Sequence, residues 1–154
     1  MTAEELASLL NQTMQKDLTN DRKSWGPFGK YVFNAKSGVV WMSSPSGGNV
    51  AYFGPEDDGT FLITAIVSAG IVGNGETDEE LQEEALDRLK NELWPALHAA
   101  GYSTDPNEDT WTAEISAFSR FGVKKVNTVA ELIAEARFLS RTNLNDTFST
   151  AQVF

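Results

Sequence analysis

Residues 74–101 read NGETDEELQEEALDRLKNELWPALHAAG and carry the strongest helix signal of the chain. Thr77 with Glu80 three residues later forms a capping-box pattern, which marks the start of a helix. Gly101 stands where a left-handed C-terminal cap belongs. Pro95 has no N–H and clashes with the preceding turn, so it must kink or end this helix. An apolar stripe at helical spacing follows the segment: Leu81, Ala85, Leu89, Leu93, Leu97 and Ala100.

Two further amphipathic segments lie near the ends of the chain. Residues 2–18 begin with a capping-box pattern at Thr2 and Glu5 and continue with a leucine-rich stripe. Residues 128–141 begin with the same pattern, Thr-Val-Ala-Glu, and continue in the same way. Each segment predicts a helix that packs its apolar stripe against a core.

The sequence between the first two helices is typical of short strands joined by tight turns. Glycine, proline and aspartate separate runs that are rich in β-branched and aromatic residues. Short connections favour antiparallel hairpins, so we expect a meander. The loop at 19–30 contains Trp25 and Phe28, which we expect to fold back onto the domain. The strands are expected at 31–34, 39–43, 50–53 and 61–68.

After the central helix the sequence predicts a polar turn at 103–109 and a strand at 111–118. Residues 119–126 either extend that strand or form a short edge strand. The whole order predicts one α+β domain over residues 1–154: a helix, an antiparallel β-meander, a long helix, one or two strands and a C-terminal helix, with the sheet covered by helices. Residues 142–154 are expected to form a tail, either loose or docked by its apolar residues.

The chain is acidic and contains no cysteine. It has 22 acidic and 12 basic residues among 154, which gives a formal charge of −10. Binding to a phosphate backbone needs clustered Lys and Arg, so direct nucleic-acid binding is not expected. No cysteine means no disulfide or thiolate metal site. We see no secretory signal and no apolar run of membrane-helix length, so we expect a cytoplasmic protein without membrane contact.

No motif assigns a catalytic, cofactor-binding or metal-binding residue. Residues 70–77 resemble a phosphate-binding loop, but Glu76 stands where the pattern requires the lysine that contacts phosphate. His98 is the only histidine, so no histidine cluster can form. The pair Asp57-Asp58 and the acidic group at 105–109 lie in turns, where aspartate is favoured for its own backbone hydrogen bonds.

The meander is apolar on both faces of its strands. An antiparallel sheet with one face in water should alternate apolar and polar residues, and these strands do not. Either the helices, the aromatic loop and the tail cover the second face, or another protein does. If a partner covers it, the expected binding residues are Trp41, Tyr52, Phe61 and Ile63.

The element order, length and acidity, together with ELWPALHAAG at 92–101 and TVAELIAEARFLSR at 128–141, resemble the small acidic dimeric chaperones of type III secretion and the related YbjN-type proteins. The resemblance implies a non-catalytic protein that dimerises and binds segments of other proteins along apolar sheet and helix surfaces. It assigns no role to any individual residue.

Three functions therefore stand as hypotheses. The first is a chaperone-like or adaptor protein that acts as a homodimer and binds segments of a partner protein. The second is an acidic accessory or inhibitor protein that occupies the basic surface of a nucleic-acid-binding protein, as a DNA mimic would. The third is an enzyme that uses carboxylates, with or without magnesium.

Overall fold

The computed structural model describes residues 1–26, 30–45, 48–70, 79–104, 112–113, 117–142 and 144. It has the α+β architecture expected from the sequence, with an N-terminal helix, a meander, a central helix and a C-terminal helix. The elements are α1 (Ala3–Asn20), β1 (Val32–Lys36), β2 (Val39–Ser43), β3 (Asn49–Pro55), β4 (Phe61–Gly70), α2 (Glu79–Arg88), a π-helical turn (Leu89–Leu93), α3 (Trp94–Ala99), β5 (Ser103–Thr104), β6 (Thr112–Ala113), β7 (Ala117–Val126) and α4 (Val129–Arg141).

The strands pair in the order β1-β2-β3-β4-β7-β5, and β6 also pairs with β7. The successive pairs from β1 to β4 are antiparallel, which confirms the predicted meander. The turn between β1 and β2 consists of Ser37 and Gly38, with φ of 56° and 80°. Positive φ at both positions gives the turn type whose twist matches a two-residue hairpin.

The chain divides into two compact units. One comprises residues 1–65 and 124–142, and the other comprises residues 66–123 and 143–154. The backbone passes from the first unit to the second within β4 and returns within β7. A single domain over the whole chain stays a prediction.

The core of the first unit lies on one face of the meander. Phe33 on β1 pairs with Met42 on β2, and Phe53 on β3 pairs with Ile63 on β4, so these side chains share a face. All four are at most 1% exposed. The two helices of this unit supply buried stripes to the same core: Leu6, Leu10 and Met14 from α1, and Leu132, Ala136 and Leu139 from α4.

The loop after α1 is fixed to this core by polar contacts. Trp25 folds back onto the core, as predicted, and is fully buried. Its ring meets Phe33 edge-on at 5.9 Å between ring centroids. Its indole N–H donates to Asp17 at 2.9 Å, and Arg137 of α4 donates to the same carboxylate oxygen at 2.6 Å. Asp17 therefore joins α1, the loop and α4. Phe28 lies outside the described residues.

Both helices of the first unit begin at the N-cap threonine that the sequence predicts. Thr2 and Glu5 form a complete capping box at α1. At α4 the Thr128 hydroxyl accepts a hydrogen bond from Glu131 N–H at 3.1 Å. The Glu131 carboxylate accepts from Asn127 N–H at 3.3 Å. These bonds satisfy donors that a helix start otherwise leaves unpaired.

The central helix of the second unit is interrupted before its proline. The predicted cap at Thr77 lies outside the described residues. The π-helical turn lets Trp94 N–H bond to Leu89 C=O, five residues back, just ahead of Pro95. The helix then ends as predicted at Gly101, where φ is 98°. Gly101 N–H bonds to His98 C=O at 3.0 Å and Tyr102 N–H to Leu97 C=O at 3.4 Å, the bond pair of a Schellman cap.

Two local predictions after this helix are wrong. Ser103–Thr104, predicted as a turn, forms β5 and pairs with Val123 and Gly122 of β7. The residues described within the strand predicted at 111–118 belong to two strands, because Thr112 pairs antiparallel with Ser119 and Ala113 with Phe118. Residues 111 and 114–116 lie outside the described part of the chain. The alternating pattern spans two strands, and periodicity does not show where one ends and the next begins.

Candidate partner-binding surface

The candidate site is the other face of the meander in the first unit, here called the outer face. Cross-strand pairs define it: Asn34 lies opposite Trp41, Trp41 opposite Tyr52, and Tyr52 opposite Thr64. Because strand residues alternate between faces, every second residue of β1–β4 belongs to it. Up to residue 65 its members are Val32, Asn34, Lys36, Val39, Trp41, Ser43, Val50, Tyr52, Gly54, Leu62 and Thr64.

An aromatic pair lies at the centre of the outer face. The rings of Trp41 and Tyr52 are 4.8 Å apart between centroids and are tilted by 40°. Both residues are half-buried. The Trp41 indole N–H is buried and has no hydrogen-bond partner among the residues that the structure describes. Ring packing, and not a polar contact of the indole, therefore holds the Trp41 side chain in place.

Exposed aliphatic side chains flank this pair on the neighbouring strands. Val32 on β1 is 44% exposed and Leu62 on β4 is 38% exposed. Apart from Met1, they are the large hydrophobic residues that are exposed in the described part of the chain. Apolar side chains that share one sheet face and remain in contact with water are typical of an interaction surface.

The outer face is also depleted in charge. Up to residue 65 it carries one charged residue, Lys36, and no carboxylate, although the chain has 22 acidic residues. The exposed helix α2 shows the opposite composition, with Glu79, Glu80, Glu83, Glu84 and Asp87 all exposed. The outer face therefore presents mainly uncharged side chains, whereas α2 presents negative charge.

The structure does not bring the four predicted binding residues together. Trp41 and Tyr52 are neighbours on the outer face, as expected. Phe61 and Ile63 are 4% and 0% exposed and belong to the core face, so they are not available to a partner. Leu62, between them, points outward instead. In the sequence, Leu62 alternates with Phe61 and Ile63, and this alternation could have identified it as a residue of the outer face. No comparable signal marked Val32.

In the second unit, a cluster around Trp94 contains the single histidine of the chain. His98 is exposed and stacks on Trp94, with 6.1 Å between ring centroids. The Arg120 guanidinium lies 4.2 Å from the centroid of the Trp94 ring and donates a hydrogen bond to the Thr104 hydroxyl. Gly122 allows α3 to approach β7 here, since a Cβ at this position would lie 2.8 Å from Leu97. These contacts pack α3 on β7.

The carboxylates of the first unit make structural contacts. Hydrogen bonds from the Thr60 hydroxyl and N–H, with Lys125 beside them, lower the pKa of the Asp58 carboxyl to about 2. Burial raises the pKa of Asp17, but the hydrogen bonds from Arg137 and Trp25 outweigh it and leave that pKa below its usual value. Within the described ranges no group of three or more His, Asp or Glu side chains is placed to hold a metal ion.

Comparison of the chain with protein-family models, with curated proteins and with solved structures finds no match in any of the three. None of the helices in the described part of the chain combines the length and apolar character needed to cross a membrane.

Proposed function

We propose that the protein is a non-catalytic, chaperone-like or adaptor protein that acts as a homodimer and binds segments of a partner protein. A cytoplasmic location is part of this proposal. The observation that carries it is the outer face, where the Trp41–Tyr52 pair lies between exposed Val32 and Leu62 and the residues of this face up to residue 65 include no carboxylate. The resemblance to type III secretion chaperones and YbjN-type proteins supports the same class.

The physical basis is the transfer of apolar surface out of water. Each Å² of apolar surface that a partner covers contributes about 25 cal/mol. Tryptophan and tyrosine are enriched among the residues that dominate binding energy, because they are large and lose little conformational freedom. A partner segment with apolar side chains fits the outer face, and basic residues beside that segment would be attracted to the acidic remainder of the chain.

The test is suppression of the aggregation of an unfolded client protein. The double variant Val32→Glu/Leu62→Glu places two carboxylates on the outer face. Its matched control, Ala130→Glu/Ala134→Glu, adds the same charge at exposed positions of α4. We expect the first variant to lose suppression and the control to retain it, with both folded by circular dichroism. Equal suppression by both variants, or none by the native chain, contradicts the proposal.

The homodimer is tested separately by sedimentation equilibrium over the micromolar to millimolar range. A monomer throughout this range would remove the homodimer from the proposal and leave client binding to be judged by the aggregation assay.

The exposed carboxylates of α2 favour a second candidate, an acidic accessory or inhibitor protein that occupies the basic surface of a nucleic-acid-binding protein. Ionic strength separates the two. Salt screens exposed charges over about 8–10 Å at physiological concentration, so an electrostatic complex weakens steeply as salt rises. Binding through the outer face should persist or strengthen under the same change. Replacing Glu83 and Glu84 with lysine should abolish the electrostatic binding and leave binding through the outer face unchanged.

A further inference from the structure

Strand β1 stands at the end of the sheet order and pairs with β2. Along an antiparallel edge strand, every second residue directs its N–H and C=O away from the sheet. Phe33 is such a residue, because its backbone groups bond to a side chain of α1 and not to β2. By alternation, residues 31 and 35 direct their backbone groups the same way. An open row of this kind is a template on which another strand can pair.

Asn11 occupies the middle of this row. Its Nδ2 donates to Phe33 C=O at 2.8 Å, and its Oδ1 accepts from Phe33 N–H at 3.1 Å. These are one donor and one acceptor, the same pair that a residue of a neighbouring antiparallel strand would present. The side chain is held there by its own helix, since Leu10 and Met14 on either side are fully buried.

We propose that Asn11 closes the β1 edge to strand addition, and that the strand it keeps out is β1 of a second copy of the chain. The outward-facing residues 31, 33 and 35 are symmetric about Phe33. Two copies can therefore pair antiparallel about a two-fold axis at Phe33, each giving the other the two bonds that Asn11 now makes. Strand β1 reads VFNAK: it contains no proline, glycine or carboxylate, and its one charged residue, Lys36, lies at the hairpin end of the strand.

Closure of the β1 edge limits which surfaces of the protein a partner can bind. Because the β1 edge is closed, a partner associates across the outer face and does not extend the sheet at β1. Asn11 closes this edge whichever partner the outer face binds.

The experiment compares Asn11→Ala with the control Gln12→Ala, in which the lost side chain is exposed and bonds within α1 to Ser8. Light scattering gives the mass of each variant over a range of concentrations, and amide hydrogen exchange reports on Phe33. In dilute Asn11→Ala we expect Phe33 exchange to be about tenfold or more faster, since its N–H loses its partner. As concentration rises, we expect the mass to increase above that of the native chain and the Phe33 amide to regain protection. The control should behave as the native chain does.

Two further variants keep the test decisive. Adding Ala35→Pro to Asn11→Ala removes an outward N–H and should return the mass to the native value. Asn11→Asp keeps the acceptor for Phe33 N–H and loses the donor to Phe33 C=O. It should therefore give a smaller increase in mass than Asn11→Ala. This variant serves as the test if Asn11→Ala is too unstable to study. An unchanged mass in the folded variants overturns the proposal, and so does a mass increase that leaves Phe33 unprotected or that Ala35→Pro does not reverse.

Discussion

The two faces of the meander are both apolar, yet they differ in burial. On β2, Val40 and Met42 are fully buried, whereas Val39 and Trp41, which alternate with them, are half-buried. On β4 the fully buried Ile63 follows Leu62, which is 38% exposed. The difference arises because α1 and α4 pack their apolar stripes on one face. An apolar strand residue is therefore a core residue or a surface residue according to what packs on its side of the sheet.

The largest expected effect compares neighbours on β3 that point to opposite faces. Phe53→Ala creates a cavity in the core and should lower the free energy of unfolding by about 3–5 kcal/mol. Tyr52→Ala removes a half-buried ring and should cost about 1 kcal/mol. Urea unfolding followed by circular dichroism measures both. Equal losses would mean that the outer face is as much a core as the other.

The second-largest loss of stability is expected at Gly26, in the loop after α1 that packs against the core. Gly26 has φ of 93°, and a Cβ at this position would lie 2.5 Å from the Ser140 carbonyl oxygen. Gly26→Ala should therefore lower the free energy of unfolding by about 3 kcal/mol, from backbone strain and steric overlap together. Gly59→Ala is the matched control, with φ of 84° and no atom near the added Cβ. It should cost about 1 kcal/mol in the same measurement.

A smaller effect is expected at Asp17, where α1, the loop and α4 meet. Asp17→Asn should cost about 2 kcal/mol at neutral pH, because it removes a charge-assisted hydrogen bond to Arg137. The folded pKa lies below the ordinary 3.8, so the carboxylate stabilises the fold above that value and the contribution disappears as pH falls through the folded pKa. Unfolding curves of both proteins should thus converge in acid. A difference that persists there would assign the loss to packing.

The smallest effect concerns the aromatic pair of the outer face. A double-mutant cycle with Trp41→Ala and Tyr52→Ala should give a coupling energy of about 1 kcal/mol in the free protein. In client binding, each single variant should weaken the affinity more than it changes stability. If the pair stabilises the fold and leaves binding unaffected, the outer face is a structural surface.

Much of the fold was predictable because its signals are local. The capping box at Thr2, the cap at Thr128 and the left-handed Gly101 depend on residues three or four positions apart. The strand predicted at 39–43 matches β2 for the same kind of reason, since β-branched residues between turn residues select an extended backbone. The interruption before Pro95 follows from its missing N–H, although its form, a π-helical turn, does not.

The candidate site was predicted only in part. Apolarity selected Trp41 and Tyr52, which the structure places side by side on the outer face, and it also selected Phe61 and Ile63, which the structure buries. Register on β4 places these two opposite Pro55 and Phe53, on the core side. A shift of one residue exchanges the faces of a strand, and composition alone does not specify which face receives the helices.

The sequence by itself determined the acidity of the chain, the type and order of its main elements and the residues that end its helices, because propensity, capping and turn geometry act within a few residues. Only the tertiary structure decided which side of the meander is core, how Thr112–Ala113 pairs back on β7, and that Asn11 meets Phe33, 22 residues away, at the sheet edge. These features depend on contacts between segments that are distant in the chain, and no pattern within one segment encodes them.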